Sequence, residues 1–230
     1  FDISSMNLKK YLTLSEKYKR TFVFTPINHR QFLPALFLDR DGVIIEDRHN
    51  IVDPDQVCLC DGSYEFIREV YSKKIKIVIV TNQSGISKGI FNWNTYEKIT
   101  EKMLSLLGDP IPITAIYANG FSDQSRDNDW RKPSPSMINE AVKIFNIDKS
   151  SSVMIGDRLT DLQSGVRAGL SSVVHVRTGH GGKERMKIIE LLDSNMILEE
   201  ETNSSRLILL DNLANIPRGF IGDLFDYKKS

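Results

Sequence analysis

Short, mainly apolar runs recur along the chain, and polar residues with glycine follow each run directly. The runs that dominate this pattern are Ala35–Leu38, Ile75–Val80 and Ser152–Ile155. A short apolar run with little polar alternation predicts a strand that is buried on both faces, as in a parallel sheet. Apolar residues at helical spacing lie between the runs. We therefore expect an α/β fold, a Rossmann-like parallel sheet with helices on both faces.

The same criteria predict the remaining elements. The predicted helices are Ser63–Lys73, a helix that Asn94 or Thr95 caps and that ends at Leu107, Ser136–Phe145, Thr160–Ala168, Glu184–Leu192 and a short Leu213–Ile216. The further predicted strands are Val57–Cys60, Ile113–Tyr117, Ser172–Val176 and Arg206–Leu210. The segment Glu199–Ser205, which is rich in acidic and hydroxyl residues, predicts a solvated linker.

The length of 230 residues suits one α/β domain with a small addition. We expect residues 1–34 to form an N-terminal extension, with a modest helix from Leu8 to about Lys19 and an edge strand or extended clamp at Thr21–Phe24. Residues 35–230 then form the main domain. About 36 residues separate Asp41 from Ile77, and they already hold a predicted strand and helix, so we expect no large cap domain.

Chemically reactive side chains follow three of the predicted strands. Asp39 and Asp41 come directly after the first, Thr81 after the second, and Asp157 with Asp161 after the third. Because the carboxyl ends of parallel strands share one edge of a sheet, where open α/β sheets bind ligands, we expect these groups to meet. Close carboxylates repel each other, so such a site calls for a cation or a shared proton.

The types of side chain at this edge suggest metal-assisted phosphoryl transfer. The carboxylates of Asp39 and Asp157 are hard oxygen ligands of the kind that Mg2+ prefers. Lys132 and Thr81 offer a positive charge and a hydroxyl donor, which suit phosphate oxygens. A carboxylate can also act as a covalent nucleophile. The sequence contains neither a P-loop lysine motif nor a G-x-S-x-G motif, which disfavours those two chemistries.

Composition limits the partners and the compartment. Lys plus Arg and Asp plus Glu both number 30, so no net charge draws the chain to nucleic acid or to an anionic membrane. No apolar run approaches the roughly 18 residues of a membrane span. The only cysteines, Cys58 and Cys60, are spaced poorly for a disulfide, and we expect packed thiols in a reducing, cytoplasmic compartment. We expect a small-molecule phosphate ester as partner, and a monomer or small homo-oligomer.

Four ordered motifs resemble those of the haloacid dehalogenase superfamily of phosphatases. They are Asp39-x-Asp41-Gly-Val, Thr81-Asn-Gln-Ser-Gly, Arg131-Lys132-Pro and Gly156-Asp157-x3-Asp161. The longer sequences around the first three motifs, Leu38–Gly42, Thr81–Ile86 and Arg131–Met137, are similar to those of a narrower group. That group contains D-glycero-D-manno-heptose-1,7-bisphosphate phosphatase and the histidinol-phosphate phosphatases. The resemblance extends from about Ala35 to Val176. It implies a Mg2+-dependent phosphatase that acts on a phosphorylated sugar, in carbohydrate metabolism.

The resemblance also implies roles for the acidic residues. Asp39 would be the nucleophile that becomes an aspartyl phosphate. Asp41 would protonate the leaving oxygen and then activate water, while its backbone carbonyl helps to hold Mg2+. Asp157 would be a Mg2+ ligand. Asp161 would reach the ion through water or fix the loop, although it could equally cap or pair on its own helix.

The remaining motif residues are implied in phosphate binding. Thr81 and Asn82 would bind the transferring phosphoryl group, and Lys132 would neutralise it and orient the nucleophile. Arg131 would reach a substrate oxygen or a second phosphate. The residues next to these, Gln83 and Arg158, have no implied role and are expected to be a loop residue and a surface or pairing residue.

One departure from the narrower group concerns zinc. The heptose bisphosphate phosphatases carry a Cys/His zinc loop just before the Arg-Lys-Pro motif, whereas Ala118–Trp130 contains no Cys or His. We therefore expect no zinc, with Phe121 and Trp130 as the aromatic anchors of this loop. The alternatives are a histidinol-phosphate phosphatase, a polynucleotide 3′-phosphatase and a catalytically silent binding scaffold. The zero net charge argues against the nucleic-acid enzyme.

Overall fold

The computed structural model describes residues 6–25, 31–48, 51–123, 130–192, 196–200, 202–217 and 219–225. Nine strands form one sheet within these residues. The strands are β1 (Leu12–Ser15), β2 (Lys19–Val23), β3 (Ala35–Leu38), β4 (Lys76–Asn82), β5 (Ala115–Asn119), β6 (Val153–Gly156), β7 (Ser172–Val176), β8 (Ile197–Glu200) and β9 (Asn203–Leu210). The α-helices are α1 (Ser63–Ser72), α2 (Trp93–Leu107), α3 (Ser136–Phe145), α4 (Leu159–Ala168), α5 (Gly181–Ile189) and α6 (Phe220–Phe225).

The sheet is parallel at its centre and antiparallel at both edges. The strand order is β1-β2-β5-β4-β3-β6-β7-β9-β8. The six consecutive strands β5, β4, β3, β6, β7 and β9 run parallel to one another. The outer strands β1, β2 and β8 pair antiparallel with their neighbours. Along the chain, β4 and β5 join the sheet on one side of β3, and β6, β7 and β9 join it on the other side. The crevice between the ends of β3 and β6 is thus the topological switch point, where open α/β sheets bind their ligands.

Two separate cores cover the two faces of the sheet. Successive residues of a strand point to opposite faces, so Leu36 and Leu38 of β3 enter one core and Ala35 and Phe37 enter the other. Buried residues of α1, α2 and α6 complete the first core. Those of α3, α4 and α5 complete the second. The predicted Rossmann-like architecture with helices on both faces is confirmed.

The N-terminal segment forms a hairpin instead of the predicted helix. Of the predicted helix from Leu8 to Lys19, only Leu8–Tyr11 is helical, as a short 3-10 turn. Leu12 and Leu14 alternate with exposed residues along β1, and β1 pairs with β2, which in turn pairs with β5. Backbone pairing with the sheet therefore outweighs the local helical spacing of the leucines. The predicted strand near Thr21–Phe24 is present as β2, but it is not an edge strand, because β1 and β5 pair with its two sides. The division of the chain into domains at residue 34 stays a prediction.

Two C-terminal predictions were also wrong. The expected linker Glu199–Ser205 lies in the β8–β9 hairpin, whose Glu200 forms an ion pair of 3.0 Å with Arg167 of α4. That pair satisfies an acidic side chain in a strand, which composition alone could not foresee. The expected helix Leu213–Ile216 is a turn, because the Asn212 side chain accepts hydrogen bonds from two backbone amides that follow it.

Smaller differences affect the other elements. The side chain that caps α2 is Asn92, which accepts a hydrogen bond of 3.0 Å from the Thr95 amide, rather than Asn94 or Thr95. The predicted strand Val57–Cys60 forms only an isolated bridge between Leu59 and Ile45.

The connection from β3 to α1 is a loop with one short helical segment. The only helical segment that the structure describes between these two elements is the 3-10 turn Pro54–Gln56. The described part of the connection from β3 to α1 contains no cap domain, in agreement with the prediction. Among the described residues, no helix is long and apolar enough to cross a membrane.

Candidate active site

Three buried carboxylates meet at the switch point. Asp39 follows β3, Asp157 follows β6, and Asp161 lies in the first turn of α4. One carboxylate oxygen from each residue lies within 4.8 Å of the other two. All three residues are buried. The structure thus brings together acidic groups from separate motifs, at a separation typical of ligands that share one cation.

Lys132 lies against this cluster and forms bonds with all of its ammonium hydrogens. Its Nζ donates 2.8 Å to Asp39 Oδ1, 2.7 Å to Asp161 Oδ1 and 2.9 Å to the Val80 carbonyl. Burial alone would lower the pKa of Lys132, but the charges of Asp161 and Asp39 outweigh it and raise the pKa. Lys132 is therefore a fixed positive charge that holds one oxygen of Asp39 in place.

Asp157 carries a carboxylate oxygen that nothing satisfies. Its Oδ2 accepts a hydrogen bond of 2.7 Å from the His180 amide, whereas its buried Oδ1 has no partner among the described residues. The backbone packs closely here, since a Cβ atom on Gly42, whose φ is +81°, would lie only 2.5 Å from Asp157 Oδ2. A buried unpaired carboxylate oxygen is costly and calls for a partner.

Burial and mutual repulsion disfavour the ionised forms of Asp157 and Asp39. Burial, with added repulsion from Asp161 and Asp39, raises the pKa of Asp157 to about 8. Burial also raises the pKa of Asp39 to about 7, against the attraction of Lys132 and with repulsion from Asp161 and Asp41. One lysine does not compensate three buried carboxylates, so the site is short of positive charge.

The donor set fits a hard divalent cation such as Mg2+. Asp39 uses only Oδ1 in its ion pair with Lys132, and Asp157 has the unpaired Oδ1. Both oxygens of Asp161 are engaged, by Lys132 Nζ and by the Arg158 amide at 3.0 Å. Asp39 and Asp157 are therefore the carboxylates with free ligand capacity, while Asp161 caps α4 and positions Lys132. Oxygen ligands without sulfur or imidazole are typical of Mg2+.

The predicted phosphate-binding residues of β4 make different contacts. The buried Thr81 hydroxyl accepts a hydrogen bond of 2.8 Å from Gln83 Nε2. The Asn82 side chain bonds the backbone of Lys132 twice, at 3.1 Å to its amide and 3.2 Å to its carbonyl. Asn82 thus attaches the Arg131–Pro133 segment to the sheet, and its direct contact with phosphate stays a prediction.

Two arginines line the mouth of the site. Arg131 and Arg158 border a cavity of about 190 Å3 that is also lined by Asp39, Asp41 and Lys132. Burial, and secondarily the neighbouring charge of Arg158, lowers the pKa of Arg131. Two like charges that face one cavity favour an anion between them.

The loop before Arg131 is held by aromatic contacts at both of its ends. The Phe121 ring stacks on Tyr18 with centroids 4.8 Å apart, and the buried Trp130 ring lies 5.7 Å from that of Tyr117. The loop's Asp127 and Asp129 lie outside the described residues. Cys58 is partly exposed and Cys60 is buried, and both are free thiols.

Sequence reasoning missed residues that contact the motif residues from behind. Arg40 pairs with Asp41, and Gln83 contacts both Asp41 and Thr81. The spacing of two residues from Thr81 to Gln83, at the end of a predicted strand, was a usable signal for Gln83, because alternate side chains of a strand share a side. No comparable signal existed for the buried His175, which bonds the Asp157 carbonyl at 3.0 Å.

Comparisons with known proteins agree with this arrangement. The HAD-hydrolase-like family model matches residues 129–193. The chain is 34% identical over 180 residues to D-glycero-beta-D-manno-heptose-1,7-bisphosphate 7-phosphatase of Pasteurella multocida, covering 76% of this chain and 96% of that protein.

Two solved structures are similar in fold as well as in sequence. A putative HAD-like phosphatase from Mesorhizobium loti has a TM-score of 0.71 at 27% identity, over 93% of this chain and 94% of that one. The D,D-heptose 1,7-bisphosphate phosphatase from B. bronchiseptica, complexed with magnesium and phosphate, has a TM-score of 0.69 at 26% identity, over 83% of this chain and 99% of that one.

Proposed function

The chain belongs to the haloacid dehalogenase-like phosphatases, and from that premise we propose that it is a Mg2+-dependent phosphatase of a phosphorylated sugar that reacts through an aspartyl phosphate on Asp39. Phosphoric monoester hydrolysis is the activity of the family. The observation that carries the finer proposal is the pairing of Asp39 with Lys132 beside the unsatisfied oxygen of Asp157. These groups together offer a nucleophile, a fixed cation and a free metal ligand.

Mg2+ would be held by the carboxylates of Asp39 and Asp157 and by the backbone carbonyl of Asp41. When bound, it would supply the positive charge that lets an anionic carboxylate approach an anionic phosphate. The shortage of positive charge at the three carboxylates supports this assignment, because burial and repulsion raise the pKa of both Asp39 and Asp157.

The side chains divide the reaction between them. In the first step an oxygen of Asp39 bonds to phosphorus, the bond from phosphorus to the leaving oxygen breaks, and Asp41 gives that oxygen its proton. Lys132 holds Asp39 in line through its ion pair, and the Thr81 hydroxyl donates to a phosphoryl oxygen. In the second step Asp41 takes a proton from water, the water oxygen bonds to phosphorus, and the bond to Asp39 breaks.

A phosphorylated sugar is supported by the relatives and by the mouth of the site. Two of the three similar proteins named above are heptose bisphosphate phosphatases. The cavity beside Lys132 presents Arg131 and Arg158, two cations that suit a second phosphate on the same substrate. Because the loop 118–130 has no Cys or His, it differs from a zinc-bearing loop, and we expect it to shift the preferred sugar. We expect no zinc in the purified protein.

A panel of phosphate esters, assayed with Mg2+ and with EDTA, tests this proposal. The panel contains heptose 1,7-bisphosphate, hexose and pentose phosphates, histidinol phosphate, 4-nitrophenyl phosphate and DNA with a 3′-phosphate. We expect the sugar phosphates to give the highest kcat/KM, and EDTA to abolish turnover until Mg2+ is restored. A preference for the DNA end or for histidinol phosphate would overturn the sugar assignment. The absence of turnover on every ester would favour a binding scaffold.

A further inference from the structure

A buried network of side chains lies behind Asp41 and has no place in the steps above. The Arg40 guanidinium lies over the Tyr96 ring, 4.9 Å from its centroid, and its side chain is 5% exposed. Its Nη2 donates 2.9 Å to Asp41 Oδ1, and its Nε donates 3.2 Å to Asp41 Oδ2. The same Nη2 donates 3.1 Å to Gln83 Oε1. Arg40 therefore donates hydrogen bonds both to the Asp41 carboxylate and to the side-chain carbonyl of Gln83.

Gln83 extends this network to the phosphate-binding residue Thr81. Its Nε2 donates 2.7 Å to Asp41 Oδ2 and 2.8 Å to Thr81 Oγ1. Only one orientation of the amide fits, because the guanidinium of Arg40 can only donate and the carboxylate of Asp41 accepts. Nε2 carries two hydrogens, so both bonds form together. Thr81 acts as the acceptor towards Gln83, which leaves its own hydroxyl hydrogen to donate elsewhere.

The network also distinguishes the two oxygens of Asp41. An ionised carboxylate has about four acceptor positions, two on each oxygen. Oδ2 uses both of its positions, for Arg40 and Gln83, whereas Oδ1 uses one, for Arg40. One acceptor position on Oδ1 therefore has no donor among the described residues. The Asp41 side chain is 28% exposed, so a molecule in the cavity can reach it.

Stability alone does not account for this arrangement. Replacing a buried ion pair with apolar residues of similar size is often neutral or stabilising, because burying two charges is costly. Arg40 Nη1 is buried without any partner among the described residues, which adds to that cost. This unfavourable burial of Arg40 occurs next to Asp41, the residue whose carboxyl group has to face the leaving oxygen.

We propose that Gln83, held in orientation by Arg40, is a positioning residue. Through one amide it aligns the acid–base group Asp41 and the Thr81 hydroxyl, which donates a hydrogen bond to the phosphoryl group. This inference rests on the proposed function, since it gives Gln83 its effect through Asp41. Misplacing Asp41 should slow the step in which the leaving oxygen takes a proton from Asp41, and should matter little when the leaving group departs as a stable anion.

The test compares two leaving groups in Gln83→Leu and Gln83→Glu. Gln83→Leu removes every hydrogen bond of the amide, and Gln83→Glu keeps the shape but replaces the donor to Asp41 with an oxygen. The substrates are 4-nitrophenyl phosphate and the sugar phosphate that the ester panel shows to be turned over fastest. Lys88→Leu, at an exposed position of the same loop, is the matched control.

We expect both Gln83 variants to lose at least about tenfold in kcat/KM on the sugar phosphate, part of the roughly 10²–10⁴-fold that general acid–base catalysis contributes. The loss on 4-nitrophenyl phosphate should be at least about threefold smaller, because nitrophenolate leaves without a proton and only the alignment of Thr81 is lost. Lys88→Leu should match the wild type on both. Equal losses on the two esters, or no loss on either, would overturn the inference. Because Gln83→Glu conserves size, it decides the outcome if Gln83→Leu does not fold.

Asp39→Asn separates this inference from the proposed function. If Asp39→Asn is inactive while the Gln83 variants keep wild-type kcat/KM on both esters, only the role of Gln83 is refuted. If Asp39→Asn keeps full activity, the proposed reaction itself is refuted.

Discussion

Replacing Lys132 with methionine should destabilise the protein and make its stability depend more strongly on pH. The substitution keeps the unbranched apolar stem, one atom shorter, but removes the buried cation that lies 2.8 Å from Asp39 and 2.7 Å from Asp161. Breaking a buried ion pair by removing one partner costs about 3–5 kcal/mol, because the other charge is left unpaired. For a domain of this size, 1 kcal/mol shifts Tm by about 2–4 °C, so we expect a loss of roughly 6–20 °C near neutral pH.

The direction of the pH dependence follows from the raised pKa values. Without metal, the pKa of Asp39 lies at about 7 and that of Asp157 at about 8, above the value of about 4 in the unfolded chain. Between these limits the native state binds more protons than the unfolded state, so stability falls as the pH rises. Loss of Lys132 raises the pKa of Asp39 further, and the cost of Lys132→Met should therefore grow between about pH 5 and about pH 8.

Urea unfolding in EDTA, followed by tryptophan fluorescence at about pH 5 and about pH 8, measures this cost. The control is Lys88→Met, which removes an exposed lysine and should change the free energy of unfolding by less than about 0.5 kcal/mol. A loss below about 1 kcal/mol in Lys132→Met, or an equal loss at both pH values, would refute the reasoning about the buried charges.

Three other predictions concern the residues around the carboxylates. Asp157→Asn should weaken Mg2+ binding in calorimetry yet raise Tm in EDTA, because it removes a repelling charge; an unchanged Mg2+ affinity would exclude Asp157 as a ligand. Asp41→Asn should lower kcat on sugar phosphates by roughly 10²–10⁴-fold while sparing Mg2+ binding, and full turnover would remove Asp41 from the proposed mechanism. In the wild type at about pH 8, Mg2+ at about 100 times its Kd should add about 2.7 kcal/mol to the free energy of unfolding, and the same Mg2+ concentration should add less at about pH 5, where protons compete for the carboxylates; a Tm that does not change with Mg2+ would count against the site.

The fold and the three acidic positions could be predicted because their signals are local. Asp39 and Asp157 each directly follow a buried apolar strand, and the rule that parallel strands share an edge then brings them together. Helix α3 and strand β7 have the predicted bounds because apolar periodicity sets both of them.

The features that the sequence did not predict depend on distant partners. Leu12 lies at helical spacing from Leu8, and only the pairing of β1 with β2 shows that Leu12 and Leu14 belong to a strand. The charge of Glu200 predicts a solvent-exposed side chain, whereas in the structure Glu200 forms an ion pair with Arg167 of α4. Gln83 is an ordinary loop residue by composition, and its contact with Asp41 exists only once β3 and β4 are adjacent.

The proposed role of Asp39 as the nucleophile is tested most directly by trapping the covalent intermediate. The wild type is mixed with its fastest sugar phosphate and Mg2+, quenched in acid within a turnover, digested and analysed by mass spectrometry. The account predicts one added phosphoryl group on the peptide that contains Asp39, and none in Asp39→Asn, which should also be inactive. A wild type that turns over without this adduct, together with an active Asp39→Asn, would contradict the account.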